Sequence, residues 1–341
     1  MWPYMQILIF PSIAAVLTAI AVFLWGGLAA LMLLAFLAIL ETTLSFDNAV
    51  VNAKVLSRMD DRWQQRFLTW GIPLAVFGTR LVLPVLIVAA AASLSPFAVL
   101  QLALFDPVHY GEYLHDAHVS IAAFGSAFLL LVSLKYFFND RKTVHWIVLI
   151  ERWLSRWGGI EAIEIAIVLI VLLGASFIQS SQAGAILAAG LFGIILFIVI
   201  QGIAQSFESR AAHSAEMAAK AGAALFIYLN VLDSAFSLDG VVAAFAISTS
   251  VHIIALGLGV GALFVRSFTI MLVRAKTLET LVYLEHGAHY AILGLAIAML
   301  VGIFVEVPEA ITGLIGFVFI GFAYLSSRRE FLRTRGVQAK L

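Results

Sequence analysis

Ten stretches of this chain stay apolar for as long as a helix needs to cross a bilayer. They fall at about 5–25, 28–51, 67–93, 118–138, 161–179, 184–205, 222–248, 252–273, 286–305 and 309–326. Tight connections lie at Gly26–Gly27, Gln179–Gln182 and Val305–Pro308. A soluble domain carries about 25% charged residues. Here 12% are charged, 63% are hydrophobic and the mean hydropathy is +1.05. The fold expected is all-α: a polytopic transmembrane bundle of about ten helices, with the lipid bilayer as its surroundings. The formal net charge is zero, so there is no basic footprint for nucleic acid. Cysteine is absent, which excludes disulfides and thiolate metal sites. The first apolar run has no Lys or Arg before it, so it reads as a retained helix and not as a signal peptide.

The basic residues are unevenly placed. Of 20 Lys and Arg, 18 fall in the segments 52–66, 135–160, 206–221, 274–285 and 327–341. With ten spans these five segments share one side. The positive-inside rule then puts both termini in the cytoplasm. The loop 94–117 would face outward.

Arg80 and Arg266 are the two exceptions, and both lie inside apolar runs. They occupy matching places in an internal repeat. Gly71-Ile72-Pro73-Leu74 precedes one and Gly257-Leu258-Gly259-Val260 the other. His115-Asp116-Ala117-His118 matches His286-Gly287-Ala288-His289, and Glu161–Glu164 matches Glu306–Glu309. The repeats expected are residues 1–183, helices 1–5 with a cytoplasmic segment near 139–160, and 184–326, helices 6–10. Residues 327–341 form a basic tail. An odd number of spans per repeat inverts the second copy, the design of many secondary transporters.

The repeat also carries acids. Glu41-Thr42-Thr43-Leu44-Ser45-Phe46-Asp47-Asn48 is echoed by Asp233-Ser234-Ala235-Phe236-Ser237-Leu238-Asp239-Gly240. A carboxylate at a helix centre costs about 2.5–3.5 kcal/mol on insertion scales. Four in matched pairs point to an ion pathway. The two acids of each motif are six residues apart, about 240° around a helix, so an unbroken helix would not aim them alike. Ser45, Asn48, Ser237 and Gly240 suggest local unwinding or a bend. Oxygen ligands suit a hard cation such as Mn²⁺, Ca²⁺ or Mg²⁺. The purely structural alternative is that the acids neutralise Arg80 and Arg266, and a mixture of both roles is compatible with the pattern.

The His pairs, His115 with His118 and His286 with His289, sit at opposite ends of the bundle. Gating or proton exchange suits them better than one shared metal site. The Glu-x-x-Glu pairs fit the start of a helix. Trp2, Trp63, Trp70, Trp146, Trp153 and Trp157 fall near helix ends, as interface anchors do. Residues 140–160 read as an amphipathic surface helix.

Glu41-x-x-Leu-Ser-Phe-Asp-Asn48 resembles the hallmark of the TerC family of integral membrane proteins, and Leu232–Val242 resembles its second motif. Tyr283-Leu284-Glu285-His286-Gly287-Ala288-His289-Tyr290 is similar to one branch, described as a domain of unknown function. The resemblance covers most of the chain. It implies kinship with the LysE exporters, a place in the cell membrane (the inner membrane of a bacterium) and, for some members, manganese export or tellurium resistance. The implied metal ligands are Glu41, Asp47, Asn48, Asp233 and Asp239, with Ser45, Ser237, Arg80 and Arg266 as helpers. The second copy has Gly240 where the first has Asn48, so the two sites differ. Together these readings predict a secondary transporter that exports a divalent cation, Mn²⁺ before Ca²⁺, against protons. No permanently bound cofactor is expected. The alternative is a non-transporting membrane component of a stress-resistance complex. Neither a nucleotide loop nor a nucleophile–base arrangement points to an enzyme.

Overall fold

The computed structural model describes residues 2–71, 74, 78, 82–209, 215–248, 250–305 and 307–338. Arg80, Glu306 and the side chains of Asp239 and Glu309 lie outside the described residues. Among those described, every regular element is a helix.

Among the described residues six helices are long and apolar enough to cross a membrane: Ile7–Leu44, His118–Phe137, Ser180–Phe207, Val251–Arg274, Leu284–Gly302 and Ile311–Arg333. The first takes in most of two of the ten expected runs. Helix α1, Trp2–Leu44, would measure roughly 65 Å if straight, about twice the hydrocarbon thickness. Its axis breaks at Gly27, which takes φ 69° and ψ −162°, a conformation available to glycine alone without penalty. The run at 161–179 forms only the shorter helix Ile163–Ile178, and 222–248 lies within a helix Ala215–Ile247. Part of 67–93 is outside the described residues.

A second break follows closely. Helix α1 ends at Leu44, Ser45 turns with φ −96° and ψ 16°, and α2 runs Phe46–Leu56. The expected bend in the first acid motif is therefore confined to one residue. In the second motif α11, Ala215–Ile247, runs through Ser237 and Gly240 as one helix. The intervening elements are α3, Asp61–Thr69; α4, Leu83–Ala91; α5, Pro96–Phe105; α6, Pro107–Asp116; α7, His118–Phe137; α8, Val148–Trp157; α9, Ile163–Ile178; and α10, Ala183–Glu208. Three long helices complete the chain: α12, Val251–Arg274; α13, Leu284–Gly302; and α14, Glu309–Gln338.

The stretch 94–117 is not a loop. It folds as α5 and α6 because Ser95-Pro96 and Asp106-Pro107 each place a capping side chain before a proline at the first helical position. Ser95 Oγ accepts from the Ala98 amide at 3.2 Å and Asp106 Oδ1 from that of His109 at 3.4 Å.

The core is built on α7. Ala123, Ala127, Phe128, Leu129 and Leu131 are fully buried there, against α10, α11 and α13. Helix α12 lies along α1. Gly257 and Gly261 allow this: a β-carbon at Gly257 would fall 2.7 Å from Leu37 Cβ, and one at Gly261 2.6 Å from Glu41 Cβ and 2.8 Å from the Ala38 carbonyl oxygen. Glycines four apart on a membrane helix permit such approach. Helix α14 uses Gly313 in the same way against Leu44. Both contacts brace the segment that bears the first acid motif.

Candidate functional site

Where α1 breaks into α2, a cavity of about 30 Å³ remains among the helices. Glu41, Leu44, Ser45, Asp47 and Asn48 line one side, Phe236 and Gly240 of α11 another, and Leu295, Thr312 and Gly313 the rest. A water needs about 10–15 Å³, so the space holds a bare ion or one or two waters. The break at Ser45 shifts the helix phase, which lets Glu41 and Asp47 reach the same cavity across six residues.

Each polar side chain has a defined setting. Ser45 Oγ donates to Glu41 Oε1 at 2.9 Å. Glu41, Ser45, Asp47 and Asn48 are all buried. Asp47 lies in the first turn of α2, at the positive end of that helix's dipole. The carbonyl end of α1 meets the same place, with the opposite polarity. Asp47 Oδ1 and Asn48 Oδ1 are buried without a hydrogen-bond partner among the described residues. Leaving such an oxygen unsatisfied costs about 1–3 kcal/mol, more if charged. A cation in the cavity would satisfy both. Gly240 faces Glu41: a β-carbon there would sit 3.6 Å from Oε2. Gly316 faces Asp47, with its β-carbon position 3.7 Å from Cγ.

Asp233 belongs to a neighbouring cluster. Its Oδ1 accepts from Asn52 Nδ2 at 3.3 Å and its Oδ2 from Arg266 Nη2 at 3.4 Å. Arg266 is buried, donates Nη1 to the Phe67 carbonyl at 3.0 Å and stacks over the Phe67 ring at 4.3 Å. Gly71 leaves room for its guanidinium. The described acids thus divide: Glu41 and Asp47 line the cavity and Asp233 pairs with an arginine. Ser237 Oγ is buried one turn beyond Asp233, with no hydrogen-bond partner among the described residues. No group of three or more His, Asp or Glu positioned to hold a metal occurs among the described residues.

The His pairs separate further. His115 is exposed at the end of α6 and His118 begins α7. His286 and His289 are buried at the start of α13. His289 donates Nδ1–H to the Glu285 carbonyl at 2.8 Å and stacks on Tyr136, ring centres 3.7 Å apart. His286 Nδ1 lies 2.9 and 3.0 Å from the carboxylate oxygens of Glu151, on α8. Glu151 is fully buried and also accepts from Lys142 Nζ at 2.8 Å and from the Trp146 and Ile147 amides at 3.3 Å. Burial opposes ionisation of Glu151, but the bonds from His286 and Lys142 outweigh it and hold its pKa down at about 2. The segment 140–160 does contain a helix, and a buried carboxylate clamps it to α13.

A larger vestibule of about 670 Å³ opens at the end of the bundle carrying the basic connections. Lys54, Arg58, Lys135, Glu164, Glu285 and His289 are among its walls. Lys54 pairs with Glu285 at 2.7 Å and Lys135 with Glu164 at 2.8 Å. Glu164 therefore serves a side-chain ion pair as well as the first turn of α9.

Sequence reasoning passed over Asn52, Thr312 and Glu151. Asn52 follows Asn48 by one helical turn, a visible signal. Thr312 and Glu151 acquire their roles only through tertiary packing. The family described as "Protein of unknown function (DUF475)" matches residues 46–334. No curated protein and no solved structure matches the chain.

Proposed function

The chain belongs to the DUF475 family of proteins of unknown function, and we propose that it is a secondary transporter exporting a divalent cation, Mn²⁺ by preference and Ca²⁺ next, against protons. The observation that carries this reading is the small buried cavity with the unpartnered oxygens of Asp47 and Asn48 beside Glu41. Oxygen donors of this kind bind hard cations. Asp239 completes the set in the same reading, and the resemblance to TerC proteins supports it.

In the same reading residues 1–183 and 184–326 form an inverted repeat, and several helix contacts match between the halves. Exchanging the two halves maps α7 onto α13 and α2 onto α11. The contacts of α7 with α13 and of α2 with α11 then map onto themselves, and that of α2 with α13 onto that of α7 with α11; all four occur. The contacts of α9 with α10 and of α1 with α14 form another matched pair. In this arrangement both termini and the vestibule are cytoplasmic and the cavity lies at the repeat interface, where secondary transporters bind cargo. Arg266 keeps Asp233 neutralised, so the cargo's two charges face Glu41 and Asp47.

The test is metal tolerance of cells expressing Asp47→Asn or Asp239→Asn, with expression verified. Sensitivity to raised Mn²⁺ or Ca²⁺ is expected. Normal tolerance and efflux in both variants would end the proposal. The competing reading, a non-transporting component of a tellurium or metal stress-resistance complex, draws on the exposed Trp153 and Trp157 of the clamped helix.

A further inference from the structure

Helix α8, Val148–Trp157, is amphipathic with its acid turned inward and its apolar side turned out. Residues four apart share a stripe of a helix. Glu151 and half-buried Ser155 form one stripe, and Leu149, Trp153 and Trp157 form the one across from it. The inward stripe is fixed, because Glu151 is fully buried and bound by His286, by Lys142 and by the Trp146 and Ile147 amides. The outward stripe is open: Leu149 is 86% exposed, Trp153 56% and Trp157 43%. Arg152 and Arg156, also four apart, border that stripe and are exposed. Neither guanidinium makes a hydrogen bond or ion pair among the described residues.

The helix is pinned at the level where spans end. His286 stands in the first turn of α13. Gly158, just past α8, lies so close to the Phe138 carbonyl at the end of α7 that a β-carbon would overlap it. Both α7 and α13 are long and apolar enough to cross a membrane. After residues 158–162 the apolar helix α9 begins at Ile163 and turns Ile170, Leu173 and Phe177 outward. The open stripe of α8 therefore lies where apolar helices emerge at the basic end of the bundle.

We infer that the outer face of α8 is a binding surface for anionic phospholipid: Leu149, Trp153 and Trp157 enter the bilayer interface, and Arg152 and Arg156 hold the headgroup phosphates. Tryptophan favours this level of a membrane, and the Trp153 and Trp157 rings lie together, centres 5.7 Å apart. An apolar face bordered by arginines is how an interfacial helix engages an anionic surface. The exposed charges on α8 are both positive. Glu161 follows only in the turn to α9, and Asp140 lies in the vestibule wall beside Arg141. The clamp on Glu151 keeps the apolar stripe facing out, so the helix is presented to lipid already oriented. Lipid binding here depends on the membrane setting of the bundle alone and not on cation export.

The chain has no cysteine, so Leu149→Cys gives a single site for an environment-sensitive fluorophore on the full chain. In vesicles containing phosphatidylglycerol, doxyl-labelled phospholipid should quench the fluorophore and aqueous iodide should not. In detergent micelles, phosphatidylglycerol should shift the emission at roughly 10- to 30-fold lower concentration than phosphatidylcholine, the scale of two basic residues at an anionic surface. Replacing both arginines, Arg152→Gln with Arg156→Gln, should cut that preference to within about threefold and leave the melting temperature unchanged, since both side chains are exposed. Iodide quenching without doxyl quenching in the vesicles would overturn the inference. So would equal titrations by the two lipids, or a preference that survives the double substitution. Protection from iodide in native membranes that is lost on reconstitution would place a protein on this face instead of lipid, and would overturn it too.

Discussion

Asn52 and Asp233, 181 positions apart, meet through a 3.3 Å hydrogen bond that ties α2 to α11. Arg266 holds the other oxygen of the same carboxylate. This small network divides the acids by position. It draws Asp233 into a structural ion pair and leaves Glu41 and Asp47 around the cavity.

If that division is right, the two groups of acids respond oppositely to arginine removal. Arg266→Met strands the half-buried Asp233 carboxylate and should destabilise the protein by up to about 3–5 kcal/mol. Adding Asp233→Asn should recover most of the loss, because the pair is then removed as a unit. Thermal unfolding of the detergent-solubilised single and double variants checks this. Failure of the double variant to recover would mean that the pair is not the dominant interaction of either residue.

Two glycines near Glu41 predict different outcomes. Gly261→Ala forces a methyl to within 2.6 Å of Glu41 Cβ. Overpacking of this kind costs about 1–3 kcal/mol, so a lower melting temperature is expected. Gly240→Ala places its methyl 3.6 Å from Glu41 Oε2, an ordinary contact. It should leave stability nearly unchanged but occupy much of the 30 Å³ space and weaken cation binding. Unfolding and binding measured side by side separate the two effects.

Glu151 gives a pH signature. Its pKa is lowered from 4.5 to about 2. A depressed carboxylate stabilises the fold above its unfolded pKa, and that contribution is lost as pH falls towards 2. Stability should therefore decline between about pH 4.5 and 2. Glu151→Gln should remove most of that dependence and cost on the order of 3 kcal/mol at neutral pH. Chemical denaturation across the pH series reads both. A profile in Glu151→Gln as steep as in the wild type would assign the acid transition to other groups.

Much of this was legible in the chain. Apolar runs announced the long helices, and the first acid motif among them lines the cavity described above. A bend was expected because an unbroken helix would not aim Glu41 and Asp47 alike, and it occurs at Ser45. The helices at 96–116 were signalled by Ser95-Pro96 and Asp106-Pro107, but a polar stretch between apolar runs looks like a loop when hydropathy alone is weighed. The division between Asp233 and the other acids was not legible, because it depends on which acid the side chain of Arg266 can reach once α12 has packed. Nor was the burial of Glu151: an acid on an amphipathic helix normally faces water, and only the approach of His286 and Lys142 makes the inward position favourable. Thr312 gained its place in the cavity wall from the docking of α14 against α1 and α13, which no local pattern encodes.

The most direct test of the central claim is equilibrium binding of Mn²⁺ to the purified full-length protein, measured by calorimetry or dialysis for the wild type and for Asp47→Asn. The account predicts saturable binding by the wild-type chain. It predicts affinity lower by roughly 100-fold in Asp47→Asn, the upper end of what losing even an outer-shell partner costs a metal site, with the melting temperature in the absence of metal preserved. Equal Mn²⁺ affinity in the two proteins, or no saturable binding of Mn²⁺ or Ca²⁺ by the wild type, would contradict it.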